Sequence, residues 1–195
     1  AIRLDPYFTG NYINRGLVKY NLNDLRGAMA DYDRVIDSES NNLIARFNRG
    51  LLRAQVADNN RAIEDFDKVI ELEPDNSMAY LNRAMLLAEI GDNLSALNDI
   101  DFVLDEHPDF FSGYYMRAEM KRKLNDLRGA ETDYNMARAE EAKAKRRATV
   151  DAESGRKSES KETREETDKD IDKFNLLVVA DKESDDKQKS KYQSE

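Results

Sequence analysis

The sequence predicts an all-α fold, a solenoid of stacked helix–turn–helix units. Three observations lead there. The same skeleton returns every 34 residues: Arg15, Arg49, Arg83 and Arg117 share one position, Ala28, Ala62, Ala96 and Ala130 a second, and Asp31, Asp65, Asp99 and Asp133 a third. A fixed period of this length marks supersecondary units stacked in a row, each contacting its neighbours. Within a period, apolar residues recur at helical spacing, as Tyr80, Ala84 and Leu87 do at i, i+4 and i+7. A short polar turn then divides each unit: Asn23-Asp24, Ala57-Asp58, Gly91-Asp92 and Asn125-Asp126.

Along the chain, Ala1–Pro6 (Ala-Ile-Arg-Leu-Asp-Pro) parallels Val69–Pro74 (Val-Ile-Glu-Leu-Glu-Pro). Residues 1–8 therefore read as the end of a preceding repeat. Four units follow, at 9–42, 43–76, 77–110 and 111–148. In each turn, Gly or Asn suits the left-handed residue that ends a helix, and Asp can accept from the amides that open the next one. Ala57 departs from this, so its turn is expected to be strained or differently shaped. The second helix of the second unit carries its apolar side at Ala62, Phe66, Val69 and Ile70 and stops near Pro74, as its counterpart stops near Pro108. Proline cannot continue a helix and restricts the residue before it. The fourth unit has no such stop. Ala137–Ala148 is rich in strong helix formers, which predicts an extended last helix. From 149 to 170 apolar residues nearly vanish, the composition of a flexible charged linker. Residues 171–195 hold one apolar cluster, Phe174–Val179, in what reads as an incomplete element.

Composition narrows the function. The 195 residues carry a formal net charge of −9, which disfavours nucleic acid as the main partner. The absence of cysteine removes disulfides, thiolate metal sites and a cysteine nucleophile. No apolar run approaches the roughly 20 residues of a membrane helix, so membrane insertion is not expected, and no signal peptide is visible. None of this decides the compartment; cytoplasm and bacterial cell envelope both remain open.

The units resemble the tetratricopeptide repeat over roughly residues 1–140. The resemblance rests on a small residue in the first helix (Gly16, Gly50, Ala84, Ala118), the second-helix alanine, and an aromatic four residues after it: Tyr32, Phe66 and Tyr134, with Ile100 substituting. Small residues at the crossing let two helices approach to about 8–10 Å. There are two departures. The family's early first-helix aromatic is present as Tyr12, Tyr80 and Tyr114 but is Arg46 in the second unit, and its later aromatic is replaced by Lys19, Arg53, Leu87 and Lys121. Asn-Arg-Gly and Asp-Tyr-Asp repeats are frequent in acidic bacterial members, which suggests a bacterial origin.

The resemblance implies a right-handed superhelix whose concave groove, lined by the first helices, takes a partner segment. By position, its apolar lining here would be Ile13, Leu17, Tyr20, Ile44, Phe47, Leu51, Met78, Leu81 and Met85, with Tyr115 at a more basic fourth-unit end. These residues read either as a binding surface or as ordinary packing. Asn14, Asn48 and Asn82 lie beside the trough and could hold the backbone of an extended peptide, or simply follow the family pattern. Ile13 and Leu17 replace the Lys and Asn of the family's carboxylate clamp, so capture of a C-terminal carboxylate is not expected.

The recurring Arg and Asp could form a cation ladder for an acidic ligand. Bidentate Arg–Asp pairs repeated down the stack are the favoured alternative. His107 is the only histidine and reads as a solvated loop residue. Acidic pairs such as Asp31/Asp33 and Asp99/Asp101 are i, i+2 on a helix and point apart. No phosphate loop, nucleophile elbow or metal motif occurs. The expectation is a non-catalytic protein-interaction scaffold with no cofactor or metal. One alternative is a self-associating module in which residues 171–180 dock in its own or a neighbour's groove. Another is a regulatory fragment of a larger enzyme.

Overall fold

The structure, a computed structural model, describes residues 9–154, with side chains described to residue 150. The repeat remnant expected at 1–8 and the Phe174–Val179 cluster lie outside the described residues. Eight helices appear in order among those described: α1 Thr9–Asn21, α2 Leu25–Ser38, α3 Leu43–Gln55, α4 Asn59–Leu72, α5 Ser77–Glu89, α6 Asn93–Glu106, α7 Phe111–Lys123 and α8 Leu127–Ser154. They pair as helix–turn–helix units in an all-α tetratricopeptide-type array. The chain divides into two compact units, Ala1–Phe102 and Val103–Glu195.

In the first unit the helix crossings are set by side-chain size. A Cβ on Gly16 would lie 2.7 Å from Tyr32 Cε1, and one on Gly50 3.0 Å from Phe66 Cζ. Each glycine is therefore the seat of the aromatic on the partner helix. The second helix of a pair also meets the first helix of the next. Ala28 and Tyr32 of α2 share a buried cluster with Leu52 of α3, and Val35 and Ile36 pack with Ala45. Ala62, Phe66 and Val69 of α4 do the same with Ala79 and Leu86 of α5. The core is thus a continuous seam passed from pair to pair.

The turns carry the expected left-handed residues, with φ of 61° at Asn23, 59° at Ala57 and 89° at Gly91. Ala57 keeps the same turn shape as its counterparts, so the penalty of a Cβ in this conformation is borne in place. The following aspartates serve as caps where geometry allows. Asp24 accepts from the Gly27 amide at 2.9 Å and Asp92 from the Ser95 amide at 3.2 Å, whereas Asp58 makes no such bond. Asn42 and Asn76 open α3 and α5 by accepting from the Ala45 and Ala79 amides, each at 3.0 Å.

In the second unit, Ala118, Ala130, Asp133 and Ala137 are buried between α7 and α8. The connecting turn repeats the left-handed residue at Asn125, φ 66°, and Asp126 caps the Gly129 amide at 2.9 Å. α8 runs to Ser154, so residues 149–154, expected in a flexible linker, are helical. Ion pairs along its surface support the extension: Lys143 with Glu140 at 2.5 Å and Lys145 with Glu141 at 2.6 Å.

Candidate functional site

The repeated charges bond to each other. Arg49 grips Asp65 through two nitrogens at 2.9 and 2.6 Å, Arg83 grips Asp99 at 2.8 and 2.7 Å, and Arg117 grips Asp133 at 2.9 and 2.7 Å. Arg15 and Asp31 make the same two-point contact. A further nitrogen reaches back to the preceding pair, from Arg49 to Asp33 at 2.8 Å and from Arg83 to Asp67 at 2.7 Å. The four ladder aspartates are buried. The ladder is therefore structural, and the reading of it as a ligand-binding stripe is set aside.

This geometry also explains the departures at the later first-helix aromatic. Lys19 adds a second cation to Asp31 at 2.9 Å, Arg53 to Asp65 at 2.8 Å and Lys121 to Asp133 at 2.8 Å. Burial alone would raise the pKa of Asp31 and Asp133; the hydrogen bonds from Arg15 with Lys19, and from Arg117 with Lys121, outweigh it and hold both carboxyls below their ordinary value.

A cleft of about 1020 Å³ opens in the first unit beside the α2–α3 turn. Its floor is apolar: Leu43, Ile44, Phe47, Val69 and Met78. Phe47 is fixed by an edge-on contact with Phe66, ring centroids 5.5 Å apart. The rim is polar, with Asn42 and Asn76 each bound to a glutamate. Asn42 Nδ2 donates to Glu39 at 2.8 Å and Asn76 Nδ2 to Glu73 at 2.9 Å. Asn42 and Thr9 hydrogen bonds hold the Glu39 carboxyl below the usual carboxylate range. The described residues lining the cleft include two glutamates and no lysine or arginine.

Of the residues expected to line a groove, Ile44, Phe47, Asn48 and Met78 meet in this cleft. Leu81 does not belong to any open surface, since it is only 2% exposed. Its expected role is corrected accordingly. Leu51 packs onto the α3–α5 core, Tyr20 onto the Leu52 cluster and Ile13 onto the Val35 cluster. Leu17 and Asn14 are exposed on α1, and Met85 is half-buried, none of them in the cleft. Asn48 and Asn82 each donate a side-chain hydrogen to their own helix, at the Ile44 and Met78 carbonyls (2.9 and 2.7 Å). Only part of each amide is left for a ligand. At the fourth pair, Tyr115 donates to Glu141 at 3.1 Å, while Glu119 accepts from Tyr134 and Arg122. That face is closed by its own polar bonds.

The glutamate rim went unread in the sequence. Its signal is a Glu-x-x-Asn pair at the unit boundary, Glu39/Asn42, recurring as Glu73/Asn76. Among the described residues no cluster of metal-ligating side chains occurs, and no helix is long and apolar enough to cross a membrane.

Family models for the tetratricopeptide repeat match residues 44–76 and 66–98. No curated protein matches the chain. Solved structures of MamA do. One is 19% identical with a TM-score of 0.66, covering 69% of this chain and 73% of that one. A second is 15% identical with a TM-score of 0.69, covering 73% and 83%. A third, MamA from Desulfovibrio magneticus RS-1, is 16% identical with a TM-score of 0.65, covering 69% and 76%. At these identities the likeness concerns the fold.

Proposed function

The chain is a tetratricopeptide-repeat protein, and from that premise we propose that it is a non-catalytic scaffold holding a partner's peptide segment in the cleft beside the α2–α3 turn. The observation that carries this reading is the cleft's make-up. An apolar floor of Ile44, Phe47 and Met78 is open to solvent under a rim that holds Glu39 and Glu73. Such a surface favours a segment with one or two large apolar side chains next to a lysine or arginine. Burial of the apolar groups supplies the affinity, and the charges set orientation and partner choice.

Panning a random peptide library against the full chain tests this. The expected result is enrichment of apolar side chains adjoining basic ones, lost in an Ile44→Asp, Phe47→Ala variant whose helical circular dichroism is unchanged. Recovery of the same peptides by that variant overturns the proposal. A second reading places Phe174–Val179 of the same chain in the cleft, because Lys173 stands beside the apolar cluster and suits the glutamate rim. In that case a chain ending at residue 154 gains peptide affinity over the full chain.

A further inference from the structure

The two glutamates on the rim of the cleft are not equivalent. Glu39 closes α2 and Glu73 closes α4, and at both places the negative end of the helix dipole adds to the carboxylate and favours a cation. Glu39 is already engaged at both oxygens. Thr9 Oγ1 donates to its Oε1 at 2.8 Å and Asn42 Nδ2 to its Oε2 at 2.8 Å. Glu73 accepts from Asn76 Nδ2 at Oε2, 2.9 Å away, and among the described residues nothing donates to its Oε1.

The cause is one difference between repeats. Leu43 stands to Glu73 at the same spacing as Thr9 to Glu39, and leucine has no hydroxyl to donate. Leu43 itself lines the cleft. Burial differs in the same direction: Glu39 is exposed, whereas Glu73 is half-buried. A carboxylate oxygen without a donor, set beside apolar side chains, acts on a nearby charge more strongly than one surrounded by water.

We infer, on the cleft reading proposed above, that Glu73 and not Glu39 selects the charge of the bound segment. Its open oxygen takes the ammonium or guanidinium of one basic side chain at the α4–α5 turn, next to the apolar side chain seated on Ile44 and Phe47. At Glu39 an incoming cation competes with two hydrogen bonds already made, and an exposed pair there is screened and contributes little. At Glu73 the same cation supplies a bond that the carboxylate lacks. The choice of partner thus falls to one side chain of the rim.

Panning the same random peptide library against four chains tests this: the unaltered protein, Glu73→Gln, Glu39→Gln and Leu43→Thr. Glutamine at position 73 keeps an acceptor for Asn76, so an unchanged melting temperature is expected. Against Glu73→Gln, apolar side chains are still enriched and basic ones are not; against Glu39→Gln both are enriched as before. Leu43→Thr supplies the hydroxyl that Glu39 already has, and basic enrichment falls. One peptide selected by the unaltered protein is then titrated at low salt and read by anisotropy. Glu73→Gln weakens its binding about tenfold, and Glu39→Gln at most about twofold. Replacing the basic residue of the peptide by glutamine costs the unaltered protein the same factor and costs Glu73→Gln nothing more. Basic enrichment that survives Glu73→Gln, or that disappears equally from Glu39→Gln, overturns the inference and leaves the cleft reading standing. No apolar enrichment by the unaltered protein overturns the cleft reading, and the role of Glu73 with it.

Discussion

Asp65 and Asp99 stand at the same place in consecutive helix pairs but are held by different means. Around Asp65 three guanidiniums converge: Arg49 in two-point contact, Arg53 at 2.8 Å and Arg46 at 3.5 Å. Around Asp99, among the described residues, there is Arg83 alone, because Leu87, buried in the core, takes the place of Arg53, and Tyr80 the place of Arg46. Tyr80 stacks on Phe102 with centroids 4.1 Å apart and lies under the Arg83 guanidinium at 5.4 Å. The second pair is thus clamped by charge and the third by apolar and aromatic packing, on the same backbone plan. The repeat requires a small residue at the crossing and one Arg–Asp grip; whatever surrounds them can be polar or greasy.

Removing the carboxylates breaks this comparison most sharply. Asp65→Ala leaves three guanidiniums facing one another with little access to water, and is expected to cost about 3–5 kcal/mol. Asp99→Ala strands only Arg83, which keeps Asp67, so about 1–3 kcal/mol is expected. Urea unfolding of both variants reads the difference, and equal losses would mean that the extra cations at Asp65 contribute nothing. Next in size come the helix crossings, which the two pairs share. Ala62→Leu and Ala96→Leu each overpack a fully buried contact, at an expected cost of roughly 1–3 kcal/mol. Thermal melting should place the two together; a tolerated Ala96→Leu would show the third pair to be the looser one. The smallest effects are in the turns. Ala57→Gly relieves a left-handed alanine and should stabilise by about 0.5–1 kcal/mol, while Gly91→Ala installs the same strain and should destabilise by a similar amount. Opposite shifts of the melting midpoint are the expected signature.

The helix pairs and turns were legible in the sequence because each rests on a local demand. Gly16 and Gly50 are small because an aromatic sits on them, and Asn23, Gly91 and Asn125 stand where the backbone turns left-handed. Ala57 shows the limit of such reading: the pattern left two outcomes open, and neighbouring helices imposed the common turn on a residue that resists it. The candidate site was less legible. Ile13, Phe47 and Leu81 hold one repeat position, and position alone treats them alike. Phe47 faces an open cleft, Ile13 packs against the Val35 cluster, and Leu81 is sealed in. The glutamate rim was missed because its members are caps and boundary residues, which attract no attention until the turn folds them over the apolar floor.

Period, helix pairing and the Arg–Asp register could be obtained from the order of residues, since each depends on spacings within about one repeat. Which equivalent side chains stay open, and whether a carboxylate gathers one cation or three, was settled when the helices packed. Exposure and ionic surroundings are properties of the space around a side chain, and in this fold that space is bounded by residues from helices before and after its own.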